Sequence, residues 1–179
     1  MKVPKESWFS PKIEVRNSPV HGKGTFAKGP IKKGEAVEIW GEYWQGKQTS
    51  EYTDDKEKVE AARKQAKVVM QWDTDLWSIE ERGSDDGYFI NHSCDSNLWF
   101  NDAFTLSARK DIEPGEELTL DYSLFERDDY VSDWQCSCGS PVCRKVITGK
   151  DWQREYVQGK YRNHFSPLIN KRIARNDRS

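Results

Sequence analysis

Long apolar runs are missing from this chain of 179 residues; none exceeds three residues, as in Val68-Val69-Met70. A membrane-crossing helix needs about 20 apolar residues in a row, so the sequence offers no such span and no membrane partner is expected. An apolar leader core is also missing between Met1 and Lys12, and the expectation is an intracellular protein kept reduced. An excess of one charge is lacking: 28 basic residues face 30 acidic ones, a net charge of -2. That balance excludes a general nucleic-acid coat. Phosphate-binding fingerprints are absent as well. The turn Gly22-Lys23-Gly24 has neither the G-x-G-x-x-G spacing of a dinucleotide site nor the G-K-[ST] of a phosphate loop. Hydrophobic residues make up only 35% of the chain, but eight Trp, seven Tyr and seven Phe are among them. Such rings bury large areas each, so a core of few residues is still sizeable, and the length suits one domain.

Cysteine is scarce, with four in all. Cys136, Cys138 and Cys143 form C-x-C-x4-C, and Cys94 lies upstream within Asn91-His92-Ser93-Cys94-Asp95-Ser96-Asn97. Four thiolates complete a tetrahedral structural zinc site. Free buried thiols or two disulfides are the alternatives, and disulfides suit a reduced compartment poorly. A shared metal would pin the C-terminal part of the chain onto the Asn-His segment and make it one wall of a pocket.

The pattern along the chain is mainly β. Residues 1–12 read as a polar arm. Ile13-Glu14-Val15, Ala36–Trp40, Phe104–Arg109 and the alternating Leu118, Leu120 and Tyr122 read as strands, and residues 70–82 as short strands about a tight turn. The one expected helix is Asp54–Val69, with Val59, Ala62, Ala66 and Val69 on one face and an Asp54/Glu57 capping pair. A local repeat relates Ala27-x3-Ile31-x2-Gly34-Glu35-x-Val37 to Ala108-x3-Ile112-x2-Gly115-Glu116-x-Leu118, which reads as two hairpin-like corners. From Lys160 onward there are six Lys or Arg and one acid, Asp177. The plain reading is a solvated, partly disordered end; the sharper one is contact with an anionic partner such as nucleic acid.

Asn91 and His92 place polar groups beside a thiolate centre, either as hydrogen-bonded loop holders or as site residues. Tyr122 ends a strand that runs toward the cysteine-rich segment, either as core or with its hydroxyl facing a pocket. Together with His21-Gly22-Lys23-Gly24-Thr25-Phe26-Ala27, Gly115-Glu116-Glu117-Leu118-Thr119-Leu120-Asp121-Tyr122 and Cys136-x-Cys138-Gly139-Ser140-x2-Cys143-Arg144, these segments resemble the ordered motifs of SET-domain protein lysine methyltransferases with a post-SET tail. The resemblance runs from about Ile13 to Arg144. It implies a SET-type fold of several small β-sheets with a knot-like C-terminal threading, one surface helix and a zinc-bound post-SET segment. It divides the chain into an arm (1–12), a SET domain (13–125, insert about 47–82), a post-SET segment (134–148) and a basic tail (149–179).

By position, the same resemblance implies S-adenosylmethionine held around Lys23, Gly24, Thr25, Asn91, His92 and Tyr122, with Tyr122 catalytic and one Zn2+ on Cys94, Cys136, Cys138 and Cys143. The substrate would be a protein with an accessible lysine, plausibly a histone or another basic chromatin protein. The location would be nucleus or chromatin for a eukaryotic source, cytoplasm for a prokaryotic one. The chain departs from the family pattern at Tyr88 (often Arg), Ser96 (often Pro) and Leu120 (usually Phe or Tyr). Leu120 suggests a site roomy enough for more than one methyl. The alternative to an enzyme is a zinc-stapled protein-binding module of the same fold. Trp77, Phe125, Trp134 and Trp152 are candidate channel walls, and residues 51–82 are where substrate choice is expected to reside.

Overall fold

Where apolar residues alternate, the chain forms short strands, because period-two spacing puts every second side chain on one face. The computed structural model describes residues 1–176. In chain order the elements are β1 (Trp8–Phe9), β2 (Ile13–Asn17), β3 (Lys23–Ala27), β4 (Ala36–Ile39), β5 (Tyr43–Trp44), β6 (Lys47–Gln48) and β7 (Ser50–Thr53). There follow α1 (Lys56–Lys64), β8 (Val68–Asp73), β9 (Leu76–Glu80), β10 (Asn91–His92), β11 (Leu98–Phe100), β12 (Thr105–Ala108) and β13 (Glu117–Leu120). The chain closes with α2 (Glu155–Tyr161) and α3 (Pro167–Asn176). The strands make four small sheets, ordered β1-β4-β12-β11, β10-β13-β3-β2, β5-β6 and β7-β9-β8. The mainly β, multi-sheet architecture expected from sequence is therefore present. No helix among the described residues is long and apolar enough to cross a membrane.

The sheets close over an aromatic core. Trp72 packs at 5.0 Å from Phe104 and 5.2 Å from Trp40, with Leu98, Leu106, Leu118 and Leu124 fully buried around them. The two repeated turns do not form separate hairpins; they pair with each other. Ile31 and Ile112 exchange N–H···O bonds of 3.0 and 2.9 Å. Ala27 bonds to Gly115 and Glu116, and Ala108 bonds to Gly34 and Glu35. Gly34 (φ 84°) and Gly115 (φ 87°) occupy the same left-handed position in each copy, where a Cβ would be strained.

Three sequence expectations change. First, the helix is shorter than Asp54–Val69. Its N-cap is Asp55, which accepts from Glu57 N (2.9 Å) and Lys58 N (3.2 Å). Ala66 at φ 57° ends the helical path, and Val69 pairs with Ile79 in the β8–β9 hairpin instead. The stiff, β-branched pair Val68-Val69 suits that pleated surface better than a helix. Second, the arm contributes β1, which pairs Trp8 with Ile39. Third, the helix is not alone: the basic C-terminal stretch folds as α2 and α3, with Tyr161, Phe165, Leu168 and Ile169 buried. Lys160 bonds to the Cys94 carbonyl (3.0 Å), Lys171 to Asp73 (2.7 Å) and Arg172 to Asp128 (2.7 Å). The expected anionic contact extended to Arg178, which with Asp177 lies outside the described residues.

Candidate active site and metal centre

Asn91 and His92 form a two-residue strand that lies parallel to β13, with Asn91 opposite Thr119 and His92 opposite Leu120. This pairing brings the first turn, the Asn-His segment and the tyrosine strand to one place. The Asn91 amide donates to the carbonyl of Lys23 (3.0 Å) and to Glu117 Oε1 (2.7 Å). Ser18 Oγ donates to the same Glu117 carboxylate at 2.9 Å. Gly24 sits so close to this carboxylate that a Cβ there would collide with it, which gives that glycine a packing reason. Lys23 Nζ lies 5.3 Å from the Phe89 ring. Thr25 Oγ1 is buried without a hydrogen-bond partner. Asn97, in the same motif, acts as a strand surrogate: its Nδ2 donates to Glu117 O and its Oδ1 accepts from Thr119 N, both at 2.8 Å.

Tyr122 follows β13 at the start of a 3-10 turn, capped by Asp121, which accepts from Ser123 N at 3.1 Å. Its hydroxyl donates to the Ile90 carbonyl at 3.1 Å. The proton is thereby directed at Ile90, and the oxygen lone pairs remain as acceptors. Burial, reinforced by the nearby Tyr130 and Glu126, raises the Tyr122 pKa above the ordinary phenol value, so the group stays neutral. Phe125 (5.5 Å), His92 (5.2 Å) and Trp134 (6.3 Å) surround the ring edge-on. Of the candidate walls, Phe125 and Trp134 are therefore at this site. Trp152 is core, and Trp77 is buried under α1 at a cavity of about 460 Å³ shared with Arg63, Arg127 and Arg172.

His92 is held neutral by burial first, with its pKa lowered to about 4. Its Nδ1 accepts the Tyr122 backbone N–H at 3.2 Å, so Nε2 carries the proton and faces Cys94 Sγ at 3.3 Å. One imidazole thus joins the tyrosine turn to the cysteine centre.

The four cysteines are unpaired with one another, and their sulfurs all lie within 4.8 Å of each other. Tetrahedral ligands at the usual Zn–S length stand about 3.8 Å apart, and Cys94 and Cys136 are 4.0 Å apart. Arg144 N donates to Cys94 Sγ at 3.4 Å. Together with the His92 N–H, this is a donor shell that suits a thiolate. The donor set and spacing fit one structural zinc ion.

The spacing of motifs gave no sign of the ion network behind the site. Arg144 is buried and forks onto Asp121, with one bond of 2.9 Å and a shorter one beside it. Its Nε lies 3.0 Å from Asp151. Asp151 in turn accepts from Thr148 N (3.1 Å) and Arg154 Nε (2.9 Å). Glu126 and Tyr130 beside Tyr122 were also unforeseen. Burial lifts the Glu126 carboxyl to about 7. The only sequence signal was the four acids against one Arg in the segment 126–133.

Residues 22–123 match the SET-domain family. Trithorax of Drosophila virilis, a histone-lysine N-methyltransferase, is 32% identical over 143 residues, covering 75% of this chain and 4% of that protein. The histone-lysine N-methyltransferase TRX1 of Oryza sativa is 28% identical over 176 residues, covering 90% of this chain and 16% of its own length. The chain thus spans a small fraction of these relatives. The crystal structure of the methyltransferase domain of human SETMAR is similar in fold, with a TM-score of 0.56, 23% identity and coverage of 75% of this chain and 57% of that one. With the motif order, the β10–β13 pairing and the family match in agreement, the chain belongs to the SET-domain family.

Proposed function

We propose that the protein transfers a methyl group from S-adenosylmethionine to a lysine side chain of a protein. The observation that carries this reading is the Tyr122 hydroxyl, kept neutral by burial, its proton held by Ile90 O and its lone pairs left as acceptors on a ring flanked by Phe125, His92 and Trp134. The donor would lie along the turn at Lys23, Gly24 and Thr25 and against Asn91 and His92; the Asn91 amide bonds to the Lys23 carbonyl there, and Thr25 keeps a buried hydroxyl without a partner. When bound it supplies an electrophilic methyl on a sulfonium, a group that needs little activation because its leaving group is neutral.

The work left to the chain concerns the amine. A free lysine has a pKa of about 10.4, and neutralising it at pH 7 costs roughly 4–5 kcal/mol. The apolar rims of Phe125 and Trp134 disfavour an ammonium through desolvation. Tyr122 Oη accepts an amine N–H and sets the nitrogen lone pair on line, and positioning of this kind supplies much of a rate enhancement. The released proton leaves through water, because a phenol with a raised pKa is no base. Of the acids that follow Tyr122, Glu126 is the one placed to meet a basic partner. Asp128 and Asp129 already pair with Arg172 and Arg127, and Glu126 stands closest to the phenol in sequence. A histone or similar basic chromatin protein fits, in line with the activities of the named relatives, and would place the protein in the nucleus if its source is eukaryotic. Cys94, Cys136, Cys138 and Cys143 would hold zinc and fix Trp134 over the site.

Transfer of radiolabelled methyl from S-adenosylmethionine to histones and to lysine peptides is the deciding experiment. Label on lysine that disappears in Tyr122→Phe is the expected result. Tight donor binding by calorimetry without transfer to any protein would favour the binding-module reading.

A further inference from the structure

We infer that Arg144 is a positioning residue that couples occupancy of the cysteine centre to the orientation of Tyr122. The inference rests on the role proposed above for Tyr122. Three contacts of a single residue carry it. The Arg144 backbone N–H points at Cys94 Sγ, 3.4 Å away, and its chain neighbour is Cys143. Its guanidinium forks onto Asp121, the residue that immediately precedes Tyr122 and caps the turn bearing it. Its Nε faces Asp151 in the C-terminal extension. Asp121 and Asp151 are almost wholly buried, so neither finds water as a substitute partner. A buried carboxylate that loses its cation must move or take up a proton.

Displacement of the loop Cys136–Arg144 would therefore withdraw the guanidinium from Asp121 and release the cap of the Tyr122 turn. Conversely, sulfurs gathered about an ion hold Arg144 where its fork meets Asp121. The planar fork is essential to this geometry, since a lysine presents a point charge and spans one carboxylate oxygen at a time. A ring of contacts reinforces the arrangement from the far side: Asp151 leads into α2, whose Lys160 returns to the Cys94 carbonyl at 3.0 Å. Arg144 acts through Asp121 without touching substrate.

The test uses the full chain loaded with zinc, bearing 3-fluorotyrosine at position 122 for spectroscopy and ordinary tyrosine for kinetics. Wild type, Arg144→Lys, Arg144→Gln and Asp151→Asn are compared for bound zinc, 19F resonance, kcat and KM. The expected result has both Arg144 variants holding one zinc per chain. Their fluorine resonance moves toward the position that chelated wild type shows, and kcat falls tenfold or more while KM for peptide changes less than threefold. Asp151→Asn, which weakens the second anchor of Arg144 and leaves the Asp121 fork in place, moves the resonance part of the way in the same direction. A wild-type resonance in both zinc-loaded Arg144 variants overturns the inference. So does a resonance shift that merely tracks zinc lost, because Arg144 would then support the metal instead of transmitting its presence. Arg144→Lys keeps the buried positive charge and answers the question if Arg144→Gln does not fold. The fluorine signal decides even if the wild type transfers no methyl, which separates this inference from the functional reading beneath it.

Discussion

At residue 122, one oxygen atom is asked to do two things. Its proton holds the turn to Ile90 O, and in the proposed reaction its lone pairs orient the acceptor amine. Tyr122→Phe should keep the fold, at a cost of about 1 kcal/mol for the lost hydrogen bond. It should lower kcat at least a hundredfold, equivalent to roughly 3 kcal/mol of barrier. Thermal melting alongside single-turnover kinetics checks both halves, and undiminished turnover would remove Tyr122 from the mechanism. Two residues earlier, Leu120 is buried in the main core cluster. It brings no hydroxyl to restrain the amine or hold a water near it, so di- or trimethylated product is expected. Mass spectrometry of a methylated peptide that reveals only single methylation would contradict this.

Among elements, α1 and the cysteine loop are held in different ways. The start of α1 rests on one carboxylate, so Asp55→Ala should cost about 1 kcal/mol in chemical denaturation and leave activity near wild type. The cysteine loop has little core of its own: Ile147 and two of the cysteines form a small satellite cluster beside the main one. Chelation should therefore abolish transfer before the bulk of the β-sheets melts, and far-UV circular dichroism that collapses together with activity would show the metal supporting the core instead. The short strands and the motif segments were legible because alternation and turn glycines act locally. The end of α1 was not: the 3.6-residue pattern runs on through Ala66 and Val69, and only the left-handed Ala66 stops the helix. The C-terminal helices were hidden by their charge, although Leu168, Ile169 and Ile173 carry an apolar stripe at helical spacing. Tyr122, His92 and the cysteines could be named from motif order. The Asp121–Arg144–Asp151 network could not, since its partners meet only through the tertiary fold.

For the whole molecule, the buried acids set the pH response. Glu38 has no hydrogen-bond partner for either carboxylate oxygen, and burial raises its pKa well above the usual value. Burial and the nearby Asp85 lift Glu80 to about 7. Both folded pKa values exceed those of the unfolded chain, so their contribution is complete at acid pH and is lost as pH rises. For Glu80 the loss amounts to roughly 3 kcal/mol between about pH 4.5 and 7. His92, lowered to about 4, acts in the opposite sense up to about pH 6.5. Melting temperature should accordingly fall through pH 7 once the opposing His92 contribution ends near 6.5, and Glu38→Gln should gain on wild type as pH rises above 4.5; a flat difference between the two would refute the assignment.

The reciprocal bonds of Ile31 and Ile112 bear on how the polypeptide reaches its native state. Segments about eighty residues apart must meet before either turn gains its partner, so loop closure precedes any reward. Until Ile112 is in place the turn at Ile31 lacks its partner, although the β7-β9-β8 sheet and the β2–β3 pair are local. Refolding should be slow and without a stable half-formed species, and two fragments cut at the Gly83-Ser84 loop should be unstructured apart and reassemble when mixed.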